Sequence, residues 1–204
     1  MQHPSTDTPL LETIKCEDGI VFNLPYHQER LNQSRQELHQ ANDTLDLRFI
    51  IHPPRKGLYR CRILYAKKIQ SIEYIPYIAK KIQSLKIVPS SVDYHLKYAN
   101  RETFDTLLQK HYDVDDIIIE KEGYLTDTSI ANIALYNGKQ WFTPTHPLLK
   151  GTMRQKLIDE GFLHTRDIKK EDLHHYTHVA LTNAMLEFKI LNTINIIQSS
   201  SYDH

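Results

Sequence analysis

The chain reads YHLKYANRETFDTLLQKHYDVDDIIIEKEGYLTDTSIAN over residues 94–132. This stretch opens with Lys97 among apolar neighbours and continues with an amphipathic segment that predicts a short helix. The apolar run at residues 116–119 predicts a buried strand, which turns at Gly123 and leads to Asp127 among small hydroxyl residues. One helix and one returning strand bring the two ends of such a unit together, so we expect Lys97 and Asp127 to face the same cavity.

These two polar groups have complementary chemistry. The amine of a lysine forms an imine with an aldehyde, and a carboxylate stabilises a protonated ring nitrogen. A pyridoxal phosphate site needs both groups. The ordinary alternative is a solvated surface lysine at position 97 and a turn-capping aspartate at position 127.

The motifs of this stretch resemble those of the class IV aminotransferase family, the fold type IV pyridoxal phosphate enzymes. In that family the lysine that binds the cofactor is followed by a glycine turn and then by an acid–x–x–x–x–Asn motif. Here the motif is DTSIAN at residues 127–132, and Lys97 lies thirty positions before Asp127. The resemblance implies that Lys97 is the catalytic lysine and that Asp127, in place of the usual glutamate, contacts the ring nitrogen.

The same resemblance implies a phosphate site made of three segments. The helix start YHQERL at residues 26–31 is similar to a His-x-x-Arg-Leu motif, and LLKGTMR at residues 148–154 is similar to a Leu-x-Gly-x-x-Arg turn. The segment LTNA at residues 181–184 is similar to a Thr-Asn-Ala segment. Guanidinium groups and helix N-termini both bind phosphate well. The implied phosphate ligands are Arg30, Gly151, Thr152, Met153, the hydroxyl of Thr182 and the backbone of Asn183.

The residues that follow Lys97 indicate which of the family's activities to expect. Residues 97–101 read KYANR, and this Lys-x-x-Asn-Arg form resembles the aminodeoxychorismate lyases of the family. The resemblance implies a lyase of folate biosynthesis that releases pyruvate from an amino-acid-like small molecule and forms 4-aminobenzoate. Two alternatives stay open. One is an amino-acid aminotransferase of the branched-chain or D-amino acid type, and the other is a shortened, non-catalytic relative, which Asp127 and Met153 favour.

The resemblance runs from Leu10 to about Ile196 and carries the fold class with it. It implies the two-domain architecture of fold type IV enzymes, α+β and α/β, similar to D-amino acid aminotransferase. We expect a small N-terminal domain at residues 1–88 and a larger C-terminal domain at residues 89–204 that carries Lys97, with the cofactor between them. The family also implies a homodimer.

Composition excludes several classes of function. The 25 basic and 25 acidic residues balance, which argues against a nucleic-acid or anionic membrane partner. No stretch approaches the roughly 20 apolar residues that span a bilayer. Cys16 and Cys61 lie in strand-like runs, typical of buried free thiols in a reducing cytosol, so we expect a cytoplasmic protein. Residues 174–178 contain three histidines, but no carboxylate follows at zinc-enzyme spacing, and we expect no metal.

Turn residues divide the rest of the chain. Asp18-Gly19 predicts a hairpin, Asn137-Gly138 predicts a type I′ hairpin turn, and Pro25 predicts the start of a helix. Trp141 is interpreted as packing in a core or domain interface. Further helices are expected at residues 26–40, 153–160 and 169–174. Strands are expected at residues 47–51, 59–66, 69–76, 162–167, 178–185 and 190–197, with a crossover between the domains at residues 84–89.

Overall fold

The computed structural model describes residues 8–191 and 195–198, and the chain forms two compact units. Among the described residues, the first unit holds residues 8–79 together with Leu96–Asn100. The second unit holds Lys80–His95 and the chain from Arg101 onwards. The division after residue 79 differs from the expected boundary after residue 88, and it groups Lys97 with the first unit.

The first unit is an antiparallel sheet with one long helix. Its strands are β1 (Leu10–Glu17), β2 (Ile20–Val21), β3 (Leu58–Tyr65) and β4 (Ile69–Pro76), in the order β2-β1-β3-β4. Asp18 and Gly19 have φ values of 50° and 83°, which is the geometry of the predicted two-residue hairpin. Helix α1 (Leu24–His39) has Pro25 in its first turn, where the missing N–H costs nothing.

Alternation along β1 sets the core of this unit. Leu10, Ile14 and Cys16 point inward and pack in one cluster with apolar residues of α1 and β3. Glu12 occupies the remaining inward position and is fully buried. Cys16 and Cys61 are free, buried thiols, as predicted.

The segment Leu96–Asn100 lies antiparallel beside β1. The N–H of Leu11 donates to the carbonyl of Lys97 at 2.8 Å, and Leu10 forms an isolated antiparallel bridge with Tyr98. The backbone that carries Lys97 is therefore hydrogen-bonded to the first strand of the first unit.

The second unit is built on a mixed sheet. Its strands are β5 (Ser84–Pro89), β6 (Asp116–Lys121), β7 (Tyr124–Thr128), β8 (Asn132–Tyr136), β9 (Trp141–Pro144), β10 (Leu163–Arg166), β11 (His178–Asn183), β12 (Glu187–Leu191) and β13 (Asn195–Gln198). The order is β10-β9-β8-β7-β6-β5-β13, and β11 pairs with β8 and β12. Strand β8 contacts three neighbours, β7, β9 and β11, because it is paired at different points along its length.

Within the described part of the second unit, the α-helices are α2 (Glu102–Lys110) and α3 (Thr152–Asp159). The apolar run in β6 is fully buried, which confirms the strand predicted at residues 116–119. Trp141 packs edge-on against Phe188 and also contacts Tyr136, as expected for a packing residue. Within the described residues, no helix is both long and apolar enough to cross a membrane.

Two predictions in the first half of the chain are wrong. Residues 47–51 do not form a strand: a 3-10 helix covers Leu47–Phe49, because the side chain of Asp46 caps the N–H of Arg48 at 2.9 Å. Residues 84–89 are not a crossover between domains but strand β5 of the second unit, which pairs with β6 and β13 and has buried apolar side chains.

Two further predictions in the second half need correction. At the β8–β9 hairpin only Gly138 has positive φ, so the type I′ turn, which needs two such residues, does not form. Asn137 instead accepts the N–H groups of Lys139 and Gln140 through its side chain. The single strand predicted at residues 190–197 is two strands with different partners, β12 on β11 and β13 on β5; residues 192–194 lie outside the described residues.

Candidate active site

In the second unit, the sequence between β7 and β8 folds into a tight turn that carries Asp127. The N–H groups of Ile130 and Ala131 both contact the hydroxyl of Thr128, and this closes the turn. Asp127 and Asn132 consequently face each other as direct partners of the β7–β8 pair. Each is only 5% exposed, so the acid and the asparagine of the predicted motif lie together in the interior.

Asp127 accepts hydrogen bonds from the side chain of Asn132 and from the backbone N–H groups of Leu148 and Leu149. The side-chain amide of Asn132 donates to Oδ1 at 2.7 Å, and the N–H of Leu149 donates to Oδ2 at 2.9 Å. Burial raises the pKa of Asp127 to about 6, against the lowering effect of the Leu149 and Leu148 N–H groups, Asn132 and the charge of Arg154. The carboxylate is therefore ionised at neutral pH and still titrates close to it.

The turn that binds Asp127 leads directly into helix α3. Gly151 is the residue that caps this helix, and Thr152 and Met153 form its buried first turn. The first N–H groups of a helix have no partner inside the helix and point along its axis, where they favour an anion. The predicted phosphate turn and the predicted ring-nitrogen acid are thus joined through Leu149.

Strand β11 adds Thr182, which is fully buried and pairs directly with Asn132 in the β8–β11 register. Its hydroxyl donates to the carbonyl of Glu187 at 2.7 Å, so its proton is used within the β11–β12 hairpin. The next residue, Asn183, donates from its side chain to the carbonyl of Ile130 at 3.1 Å. The second unit therefore brings Asp127, Gly151, Thr152, Met153, Thr182 and Asn183 into one neighbourhood.

The first unit brings together the remaining two predicted residues, Arg30 and Lys97. Arg30 donates from Nε and Nη2 to the two oxygens of Glu12, both at 2.7 Å, and Nδ1 of His27 contacts Glu12 at 2.7 Å. Burial lowers the pKa of His27, Glu12 raises it, and the positive charges of Arg30 and Lys97 lower it further. Lys97 therefore lies close enough to the cluster of Glu12, His27 and Arg30 for its positive charge to lower the pKa of His27.

Glu12 and His27 are the residues that sequence reasoning missed. Burial alone would raise the pKa of Glu12, but Arg30 and His27 outweigh it and lower the pKa to about 2. The signal was present in the sequence, because Glu12 is a carboxylate at an inward position of an alternating strand and needs a partner. His27 and Arg30 stand three residues apart in α1 and so share one helix face.

Two other residues near Asp127 were also absent from the predicted site. The motif includes Asn132 without a role, and the structure shows that its side chain binds Asp127. Arg154 is 4% exposed and donates to the carbonyl of Pro144 at 2.8 Å, which holds its charge near Asp127.

The available donors and acceptors fit pyridoxal phosphate. An ionised carboxylate has about four lone-pair sites, so Asp127 can accept from a protonated ring nitrogen while it keeps its bonds to Asn132 and Leu149. The start of α3 has backbone N–H groups of the kind that bind a phosphate. In the first unit, Lys97 carries an amine and Arg30 a guanidinium, which has five N–H donors.

Comparison with known proteins identifies the family of the chain. The sequence model of the amino-transferase class IV family matches residues 9–191. A crystal structure of a proposed 4-amino-4-deoxychorismate lyase from Haemophilus somnus is 36% identical, with a TM-score of 0.82 over 88% of this chain and 97% of that chain. An uncharacterized protein from Haemophilus influenzae is 36% identical over 87% of this chain and 97% of its own length.

A third relative is a proposed aminodeoxychorismate lyase from Schizosaccharomyces pombe, 26% identical over 89% of this chain and 87% of its own length. These matches span nearly all of the chain, and the mixed sheets agree with the fold class of the family. The chain therefore belongs to the amino-transferase class IV family of pyridoxal phosphate-dependent enzymes, and its activity is that of a lyase or an aminotransferase.

Proposed function

We propose that this protein is a pyridoxal phosphate-dependent lyase that converts 4-amino-4-deoxychorismate into 4-aminobenzoate and pyruvate. The observation that carries the proposal is the relative from Haemophilus somnus, which is 36% identical over 88% of this chain and is described as a proposed lyase of this kind. The motif KYANR at residues 97–101 supports it. Arg101 of this motif donates to the carbonyl of Ser129 at 2.7 Å, inside the turn that carries Asp127.

In this proposal the predicted residues have the following roles at the cofactor. Lys97 binds the cofactor and Asp127 serves its ring nitrogen. The phosphate is bound by Arg30, the start of α3 at Gly151, Thr152 and Met153, and the segment of Thr182 and Asn183. Glu12 and His27 fix the position of Arg30, since both oxygens of Glu12 hold its guanidinium.

The reaction needs a proton to be moved and one carbon–oxygen bond to break. Bound pyridoxal phosphate would withdraw electrons from the substrate carbon that bears the amine. Lys97 would act as the base that removes the proton from that carbon, and Asp127 would keep the ring nitrogen protonated, because a nearby negative charge raises the pKa of that nitrogen. The carbon–oxygen bond to the enolpyruvyl group would then break, and the departing enolate would take up a proton to become pyruvate. One proton is removed and one is taken up, so no oxidant or reductant is consumed.

The first experiment is an absorbance spectrum of the protein with pyridoxal phosphate, before and after 4-amino-4-deoxychorismate is added. We expect a yellow protein that releases pyruvate, a borohydride-trapped adduct on Lys97, and loss of both in Lys97→Ala. The control is Lys139→Ala in the exposed β8–β9 hairpin, which should behave as wild type.

Other outcomes assign other functions. Keto acid formed from a simple amino acid, without pyruvate from aminodeoxychorismate, makes the protein an amino-acid aminotransferase. A colourless protein that binds no pyridoxal phosphate is a non-catalytic relative. An adduct that persists in Lys97→Ala shows that another lysine binds the cofactor.

The proposal includes a homodimer in a reducing cytoplasm. The free, buried thiols of Cys16 and Cys61 support a reducing compartment. Light scattering coupled to size exclusion should give twice the mass of one chain; a monomer that retains full activity would remove the dimer from the proposal.

A further inference from the structure

The contacts of Asn132 indicate more than a place in a motif. We infer that Asn132 is a positioning residue. Its side chain ties the carboxylate of Asp127 to the turn before α3, and this lock keeps a fixed distance between the part of the site for the ring nitrogen and the part for the phosphate. The inference rests on the proposed function for the identity of the cofactor. The lock itself consists of contacts within the second unit.

Both N–H groups of the Asn132 side chain are used in this lock. Nδ2 donates to Oδ1 of Asp127 at 2.7 Å and to the carbonyl of Leu149 at 2.8 Å. The N–H of Leu149 donates in turn to Oδ2 of Asp127 at 2.9 Å, which closes a ring of three residues. A primary amide has two donors, and a carboxylate and a carbonyl can only accept, so the chemistry fixes the position of the nitrogen.

The oxygen of the same amide faces Gly151. A Cβ atom at position 151 would lie 2.1 Å from Oδ1 of Asn132. Gly151 has φ −65° and ψ 140°, a conformation that any residue adopts, so the approach of Asn132 is what requires glycine here. The amide cannot turn away without losing its bonds to Asp127 and Leu149. Asn132 therefore fixes the position of the Asp127 carboxylate and also requires glycine at position 151, just before the helix.

Loss of the amide should be visible in the titration of Asp127. Burial raises the pKa of this carboxyl, and the N–H of Leu149, the amide of Asn132 and the charge of Arg154 lower it in that order. In Asn132→Ala the burial remains and one lowering contact is gone, so the pKa of Asp127 rises.

The first test uses the protein without cofactor and measures thermal unfolding of Gly151→Ala, Asn132→Ala and the double variant. We expect Gly151→Ala to lower Tm by several degrees in the wild-type background. In the Asn132→Ala background most of that loss should disappear, because the clashing oxygen is gone. Equal losses in both backgrounds would overturn the close contact on which the inference rests.

The second test measures binding of pyridoxine 5′-phosphate by calorimetry between about pH 5 and pH 8. This ligand has the ring nitrogen and the phosphate but no aldehyde, so its binding does not require a bond to Lys97. We expect Asn132→Ala to bind it about tenfold more weakly or worse, a loss of ~1.4 kcal/mol. The pH at which affinity falls should also be higher than in wild type.

The matched control is Asn137→Ala, which removes the same amide just beyond the other end of β8 and should leave affinity and pH midpoint unchanged. If wild type binds and Asn132→Ala binds equally well with the same midpoint, Asn132 has no positioning role and the proposed function stands. If wild type itself does not bind, the proposed cofactor is wrong and the positioning role falls with it, whatever the unfolding data show.

Discussion

Asp127 is a carboxylate whose ionisation opposes folding in the protein without cofactor. Burial raises its pKa from the ordinary 3.8 to about 6. A raised carboxyl pKa gives stability that is full below about pH 4 and is lost as the pH rises to about 6. The free energy of unfolding that is lost over this pH range is about 3 kcal/mol, at ~1.4 kcal/mol per pKa unit.

The variant Asp127→Asn does not ionise, so the free energy of unfolding of wild type relative to this variant should fall by about 3 kcal/mol between about pH 4 and pH 7. Urea unfolding at several pH values measures this. A difference that does not change with pH would show that the folded-state pKa of Asp127 is ordinary.

Glu12 has the opposite dependence on pH. Burial would raise its pKa, but Arg30 and His27 lower it to about 2, so its contribution is present above about pH 4.5 and is lost as the pH falls towards 2. Glu12→Gln leaves the charge of Arg30 partly buried without its partner, and should cost about 3–5 kcal/mol at pH 7. The cost should shrink below about pH 4.

The control for Glu12 lies in the same sheet. Glu73 pairs with Arg62 at 3.0 Å, but its side chain is 51% exposed. Glu73→Gln should therefore change the free energy of unfolding by less than about 1 kcal/mol. Similar losses in the two variants would contradict the burial of the Glu12 cluster.

At the scale of elements, the end of α1 depends on one buried arginine. Arg35 is 1% exposed and donates to the carbonyl of Lys67 at 2.6 Å and to the carbonyl and carboxylate of Asp43 at 3.0 and 2.8 Å. Arg35→Ala should cost about 2–4 kcal/mol, because it removes a buried side chain together with its hydrogen bonds and leaves a cavity. Arg48→Ala, which removes a side chain that is 73% exposed, should cost far less than Arg35→Ala in the same urea experiment.

The sequence predicts the elements whose conformation depends on their own residues. It does not predict those that depend on a cap outside the element or on strands distant in sequence. The Asp18-Gly19 hairpin and the helix at Pro25 depend on the backbone preferences of those residues themselves. The strand predicted at residues 47–51 failed because apolar side chains also suit a short 3-10 turn once Asp46 caps it. Strand β5 is difficult to recognise from the sequence, and a crossover is predicted there instead, because both of its partners, β6 and β13, are distant along the chain.

For the whole molecule, the family resemblance predicted the fold class, since motifs in a fixed order carry topology that periodicity alone does not. The motif residues around Asp127 and Gly151 lie together, as the sequence order suggested. His27 belongs to the His-x-x-Arg-Leu motif and Glu12 to an alternating strand, but neither pattern indicates that the two side chains meet, so their cluster was not predicted. The sequence also gives no sign that Lys97 belongs to the first unit, because this depends on a backbone hydrogen bond to a strand almost ninety residues earlier.

That pairing also determines the order in which the chain can complete its folding. The first unit closes only when Leu96–Asn100 has been added beside β1, by which time β5 of the second unit has already been synthesised. Neither unit is a continuous stretch of chain, so cutting at one linker cannot release an intact half. During synthesis the second unit waits still longer, since β5 pairs with β13 at residues 195–198. Lys97 thus reaches its place beside β1 late, after β5 of the second unit has already been made.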